Sequence, residues 1–252
     1  MKAILLCAGF ATRMHPRTRN FPKPLLEVAG RPILDDLVEQ LIESGHVSSF
    51  QIVSNARFLR HFTEWALKME ARHPAVEFHV DDDGVLENEA RLGAVGDLNL
   101  AVERSDPGPL VLVAAGDNFF RFDLHRLLDR SVAQPRDTIV VYSERDPERQ
   151  RRTGLVEIDE NFRVKAFHEK PEHPPSEWAS PALYLLTHAS LAMLPEFLKS
   201  HPGADAPGHF IRWLVARREV YAHIMDGGRL DVGDLAGLDR AESWLRERNA
   251  PR

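Results

Sequence analysis

Residues able to do chemistry gather at three places along the chain. The first is a short apolar stretch, Ala3-Ile4-Leu5-Leu6-Cys7-Ala8, that runs into Gly9-Phe10-Ala11-Thr12-Arg13, with Pro22-Lys23-Pro24-Leu25 soon after. Small residues following a strand let backbone N–H groups face a phosphate. Arg13 offers a planar fork for phosphate oxygens and Lys23 a mobile point charge. No Gly-Lys-Ser/Thr closes this loop and Gly9 stands alone, so neither the Walker A pattern nor the dinucleotide fingerprint is present. By composition alone the stretch is a surface turn with scattered basic residues. The second place is Gly116-Asp117-Asn118, directly after Leu110-Val111-Leu112-Val113-Ala114-Ala115. A carboxylate at that edge of an open α/β sheet suits Mg²⁺, which takes one or two carboxylates plus phosphate oxygens; a helix cap or turn is the plain alternative. The third, Glu169-Lys170-Pro171, is on its own an exposed strand end with ordinary surface charges.

Short apolar runs at 3–8, 51–54, 76–80, 110–115 and 138–142 predict strands that bring these residues to the ends of a sheet. Between them, Ile33, Leu34, Leu37, Val38, Leu41 and Ile42 recur at helical spacing with Gly45 as a stop, and 58–69 and 122–132 also predict helices. Strands alternating with helices imply an α/β fold: a Rossmann-like, mainly parallel sheet flanked by helices on both faces. The second half is β-rich. Residues 155–158 and 163–167 flank Asp159-Glu160-Asn161 as a hairpin, 183–186 and 220–225 add strands, and 235–248 a closing helix. No Gly/Ser/Pro-rich linker separates the halves, so residues 1–252 are expected to form a single domain with a β-rich substrate-binding portion.

The chain has 252 residues, 43% of them hydrophobic, enough to bury a large core and to exclude intrinsic disorder. A net charge of −6 disfavours a generic nucleic-acid binder, and the single Cys7 excludes a disulfide framework and a four-cysteine zinc site. No apolar run approaches the roughly 20 residues needed to cross a bilayer, and the basic residues after residue 8 do not fit a signal peptide. A soluble, unprocessed, cytoplasmic protein is expected. The 12 histidines show no ligand-like spacing.

Leu6-Cys7-Ala8-Gly9-Phe10-Ala11-Thr12-Arg13-Met14-His15-Pro16 and Pro22-Lys23-Pro24-Leu25-Leu26 together resemble the signature of the sugar-1-phosphate nucleotidylyltransferases. Gly116-Asp117-Asn118, Thr153-Gly154-Leu155-Val156-Glu157, Glu169-Lys170-Pro171 and Asp231-Val232-Gly233-Asp234 follow in the family's order, so the resemblance spans residues 2 to about 240. It implies a nucleotidyltransferase joining a nucleoside triphosphate to a sugar 1-phosphate with release of pyrophosphate. It further implies that Ala8, Gly9, Phe10, Ala11 and Thr12 wrap the triphosphate, with Arg13 near the leaving pyrophosphate and Lys23 by the α-phosphate. Asp117 and Asp231 would hold the Mg²⁺ cofactor, Glu169 the sugar hydroxyls and Lys170 the sugar phosphate, with Gly154 beside them. The family reads base and ribose in the stretch containing Asn88, Arg91 and Gly93; Gly93 would admit the base and Asn88 or Arg91 could bond its edge, although an acidic turn at 81–84 would equally make this a solvated loop.

Some residues depart from the pattern. Ala8 and Ala11 stand where glycine is common, Leu230 where an aromatic often precedes the acid, and Ser180-Pro181-Ala182 where a Thr-Gly or similar pair is usual. The segment from Asp205 to Leu214 either shapes the sugar pocket or leads into a core helix. Base, sugar and oligomeric state, a homo-oligomer included, stay open. A C-terminal β-helix of the kind some relatives carry is not expected. Two other functions are compatible with the motifs: a cytidylyltransferase for a non-sugar phosphate such as a polyol or choline phosphate, and a non-catalytic nucleotide-sensing module.

Overall fold

The computed structural model describes residues 1–233 and 235–249. Its first part holds β1 (Lys2–Leu6), the two-residue strands β2 (Glu27–Val28) and β3 (Arg31–Pro32), α1 (Ile33–Glu43), β4 (Ser49–Ser54), α2 (Leu59–Arg72), β5 (Glu77–Asp82) and α3 (Ala94–Arg104). There follow β6 (Leu110–Ala115), β7 (Asn118–Arg121), α4 (Leu124–Ala133), β8 (Thr138–Ser143), α5 (Pro147–Gln150), β9 (Gly154–Ile158) and β10 (Val164–Glu169). The chain continues through β11 (Trp178–Ser180), β12 (Leu183–Thr187), α6 (His188–Leu191), α7 (Leu194–Ser200), α8 (Pro207–Val215), β13 (Tyr221–Ile224), β14 (Gly228–Asp231) and α9 (Leu235–Asn249).

Among the described residues, ten strands form one sheet in the order β10-β9-β11-β8-β12-β6-β1-β4-β5, with β13 also paired to β8. β10, β11 and β12 run against β1, and the other six run along it. The sheet is thus mostly parallel, and the expected hairpin of β9 and β10 extends it rather than standing apart. Alternation along β1 explains its place at the centre. Ala3 and Leu5 enter a core shared with α1, α2 and α4, while Ile4 enters the opposite core with α3, α7 and α8. α1 buries Leu34, Leu37, Val38 and Leu41 on one face and stops at Gly45, whose φ of 72° only glycine adopts at no cost. Asp123 opens α4 by accepting the Arg126 N–H at 2.9 Å.

A third, smaller core matters most for the site. Met14, Val28, Ile33, Phe119 and Val232 pack with Leu238, Ala241 and Leu245 of α9. It clamps the segment that follows β1, β7 and the end of β14 against one another. No described helix is long and apolar enough to cross a membrane.

Candidate active site

β1 and β6 lie side by side with Leu6 opposite Ala115, so the loops that leave them share one end of the sheet. After β1, Cys7, Ala8 and Phe10 are buried while Gly9, Thr12 and Arg13 face solvent. Phe10 points into the core near Phe58, so this residue offers the loop's open side only its backbone. Ala11 takes a left-handed conformation with φ 47°, and the buried Thr18 hydroxyl donates to its carbonyl at 2.8 Å. Asn55 donates to the Ala8 carbonyl at 2.8 Å and accepts from the Phe58 N–H at 3.0 Å. The loop is therefore held from beneath, and its exposed side is left for an anion. A hollow of about 130 Å³ opens there, lined by Gly9, Ala11, Lys23, Gly116 and Asp117. Gly116 has no substitute: a Cβ there would meet the Cys7 sulfur and Leu34.

Asp117 and Asp231 are brought together by a ribbon that joins distant parts of the chain. β14 pairs antiparallel with β7, setting Asp231 opposite Asn118. Lys23 makes an ion pair with Asp117 Oδ2, and the Asn118 amide donates to Asp117 Oδ1 at 2.9 Å. Arg229, on the same face of β14 as Asp231, donates to Asn118 Oδ1 at 2.7 Å and to the Tyr142 hydroxyl at 2.9 Å. Burial works to raise the Asp117 carboxyl, but Lys23 and then Arg229 outweigh it and hold the group below its ordinary range. Asp231 shifts the other way: burial and the Asp117 charge push it up against the pull of Arg229, Lys23 and Arg13. Asp117 and Asp231 make an all-oxygen pair beside the loop that follows β1, a donor set that suits a hard divalent ion such as Mg²⁺.

The β-rich half supplies the other side. Glu169 pairs across the ladder with Gly154, and Gly154 with Ser180. Two residues on, the Ala182 carbonyl accepts from the Ala115 N–H at 3.2 Å. The register thus carries Glu169 and Gly154 into one row with Ala115 and Leu6. Gly154 is tight because a Cβ would overlap the Phe167 ring, and Gly208 because a Cβ would overlap Glu169 Oε2. The Glu169 carboxyl consequently rests at the start of α8, and burial raises it against the opposing pull of Lys170 and His209. Lys170 is exposed, with φ 45° and its Nζ 3.9 Å from Glu169 Oε1. The buried Tyr184 hydroxyl feels both Glu169 and Arg229, which ties the two halves of the site to one neighbourhood.

The Asn88–Arg91 stretch is arranged differently. Asn88 opens a single helical turn and its carbonyl accepts from Arg91 Nη1 at 3.1 Å. Arg91 is committed to Asp205, at 3.1 Å from Nε and 3.0 Å from Nη2. Gly93, at φ 79°, lies so close to Asp205 that a Cβ would collide with its backbone. These two contacts join the Asn88–Gly93 loop to the segment leading into α8. Asp81 is no part of a solvated turn: it is buried on β5 and accepts from Gln51 and Arg104. Asp234 of the last motif lies outside the described residues. Sequence reading missed Arg229, Asn55 and Thr18. Arg229 had a signal, since it stands two residues before Asp231 and so shares its side of a strand.

A family model described as nucleotidyl transferase matches residues 2–247. The chain belongs to the nucleotidyl transferase family. Among similar members, a UTP–glucose-1-phosphate uridylyltransferase of Haloferax volcanii is 26% identical, over 98% of this chain and 97% of its own length. The mannose-1-phosphate guanylyltransferase catalytic subunit beta of Drosophila melanogaster is 27% identical over the whole of this chain, which spans 65% of that protein. A glucose-1-phosphate thymidylyltransferase of Neisseria gonorrhoeae is 26% identical over 98% of this chain and 83% of its own. In structure, a UDP-glucose pyrophosphorylase solved with UDP-glucose superposes with a TM-score of 0.81 at 20% identity, covering 98% of this chain and 99% of that one, a match of fold.

Proposed function

We propose that this nucleotidyl transferase joins a nucleoside triphosphate to a sugar 1-phosphate, releasing pyrophosphate and giving a nucleotide sugar. The observation that carries the reading is the meeting of Asp117, Asp231 and Lys23 beside the loop of Gly9 to Arg13, with Glu169 in the same sheet row and Lys170 next to it in the chain. The similar family members named above all act, by their names, on sugar 1-phosphates, though on different sugars and bases.

In this reading the sugar phosphate oxygen attacks the α-phosphorus and pyrophosphate departs. No general base is needed, because a phosphate monoester with a second pKa near ~6 is already largely dianionic at neutral pH. The chain positions the reactants and offsets charge. The backbone of Gly9–Arg13 binds the triphosphate, and Arg13 neutralises the pyrophosphate as charge builds on it. Lys23 leaves Asp117 for the α-phosphate once phosphate oxygens offer a competing anion. Asp117 and Asp231 would hold Mg²⁺, which when bound supplies charge neutralisation at the triphosphate. Lys170 holds the incoming phosphate and Glu169 orients the sugar through its hydroxyls.

The test is pyrophosphate release with Mg²⁺, crossing the common triphosphates against a panel of sugar 1-phosphates, with products identified by mass. Release that requires one sugar phosphate and yields its nucleoside diphosphate sugar is expected. In Asp117→Asn the rate should fall at least about 100-fold, in keeping with loss of a charged ligand. Full turnover in that variant would remove Asp117 from the site, and choline or polyol phosphate as the sole acceptor would overturn the sugar reading.

A further inference from the structure

Away from this site, three metal-ligating side chains converge that sequence spacing kept apart. His125 and Asp129 lie one turn apart on α4 and so on one face of it. His46 lies in the turn between α1 and β4, next to Gly45, and its backbone carbonyl is held by the N-terminal ammonium. His46 Nε2 is 2.7 Å from Asp129 Oδ1, and His125 Nδ1 is 2.9 Å from Asp129 Oδ2. The two imidazoles meet edge to face with centroids 5.4 Å apart. One ligand atom from each of the three residues lies within 4.8 Å of the others, the only such gathering among the described residues. Elsewhere imidazoles meet carboxylates one at a time, as in His168 with Glu157 or His73 with Glu39.

We propose that His46, His125 and Asp129 form a site for a zinc-class divalent transition-metal ion, separate from the catalytic carboxylates. Two imidazole nitrogens and one carboxylate oxygen are the donor set that zinc and its neighbours prefer, and Mg²⁺ does not. At zinc–ligand distances of about 2.0–2.2 Å, tetrahedral ligand atoms stand roughly 3.3–3.6 Å apart, between the 2.7 and 2.9 Å imidazole–carboxylate contacts and the 4.8 Å span that encloses all three ligand atoms here. His125 and Asp129 are half exposed and His46 less so, which leaves an entry path and a fourth position for water. Since His46 comes from one element and the other two from α4, a bound ion cross-links the α1–β4 turn to α4.

The experiment titrates the full chain with Zn²⁺ against a chromophoric chelator, in millimolar Mg²⁺ so that oxygen-only sites are filled. Expected is one zinc per chain with micromolar or tighter affinity, unchanged in Asp117→Asn and weakened at least tenfold in His46→Ala, His125→Ala and Asp129→Asn. Melting curves without metal show whether each variant folds. Zinc should raise the melting temperature of the parent protein and of His168→Ala but not that of His125→Ala. Equal zinc affinity in the parent protein and in folded His46→Ala and His125→Ala would overturn the proposal, as would loss of the single equivalent in Asp117→Asn.

Discussion

Ala11 holds a backbone conformation that costs a side-chain-bearing residue about 1–2 kcal/mol relative to glycine. The Thr18 hydroxyl on its carbonyl fixes that turn, so the strain is borne where the loop must present its N–H groups. Ala11→Gly relieves it but also frees the unfolded chain, and the net gain should be roughly 0.5–1 kcal/mol. That appears as a higher urea midpoint at unchanged slope; a lower midpoint would mean the alanine methyl packs usefully. Asp97 carries a second residue-scale effect. It is buried in the first turn of α3, its Oδ1 has no partner, and burial, then Asp83 and Asp205, push its carboxyl from 3.8 up to about 8. The folded state therefore keeps a proton that the unfolded chain releases, so this group makes stability fall as pH rises between about 4 and 8. Asp97→Asn removes the ionisation while keeping the shape. Its urea midpoint should gain on that of the parent protein progressively from about pH 4 to 8, whereas a difference independent of pH would show that Asp97 titrates normally.

At the scale of elements, the device that brings Asp117 and Asp231 together is the β7–β14 ribbon, and one glycine permits it. A Cβ on Gly227 would land on the Arg121 carbonyl oxygen and crowd the backbone beyond it. Backbone cannot yield as a side chain can, so Gly227→Ala should pry β14 from β7 and move Asp231 away from Asn118. The expected result is a loss of at least tenfold in turnover with a melting temperature lower by several degrees; unchanged turnover would show that the ribbon is not what places Asp231. This ribbon was not legible in the sequence. Its two strands are four residues each and pair Asp231 with the sequence-distant Asn118, and short polar-ended strands carry no periodicity long enough to notice. The central strands were legible because burial on both faces makes them continuous apolar runs. α3 was hidden for the opposite reason: Asp97 occupies a buried position where the helical pattern calls for an apolar residue. The motifs announced Asp117 and Asp231 separately; only the register explains why they meet. The catalytic-loop residues could be named, but Asn55 and Thr18 could not, because supporting hydrogen bonds leave no spacing rule behind.

Among the described residues, one sheet carries the two halves of the candidate site along a shared edge. The parallel half ends in the loop of Gly9 to Arg13 and in Asp117, and the β-rich half delivers Glu169, with Lys170 just beyond it, to the same row through the pairing of Gly154 with Ser180. Separate elements position the two sides, so the two substrates' binding energies should be separable by mutation. Lys170 is exposed and its contact with Glu169 is loose, so its removal should cost little stability. If it holds the incoming phosphate, Lys170→Ala loses a charge-assisted contact worth about 1.5–3 kcal/mol, which is roughly a 10- to 100-fold rise in the KM for the sugar phosphate. Triphosphate affinity, measured by calorimetry without the second substrate, should stay within about twofold. Arg13→Ala should do the reverse, weakening the triphosphate by a similar factor while the sugar-phosphate KM holds. Two-substrate kinetics on both variants would show this crossed pattern. Equal losses for both substrates in each variant would mean that the halves act as one pocket, and that the shared row couples the ligands rather than merely aligning them.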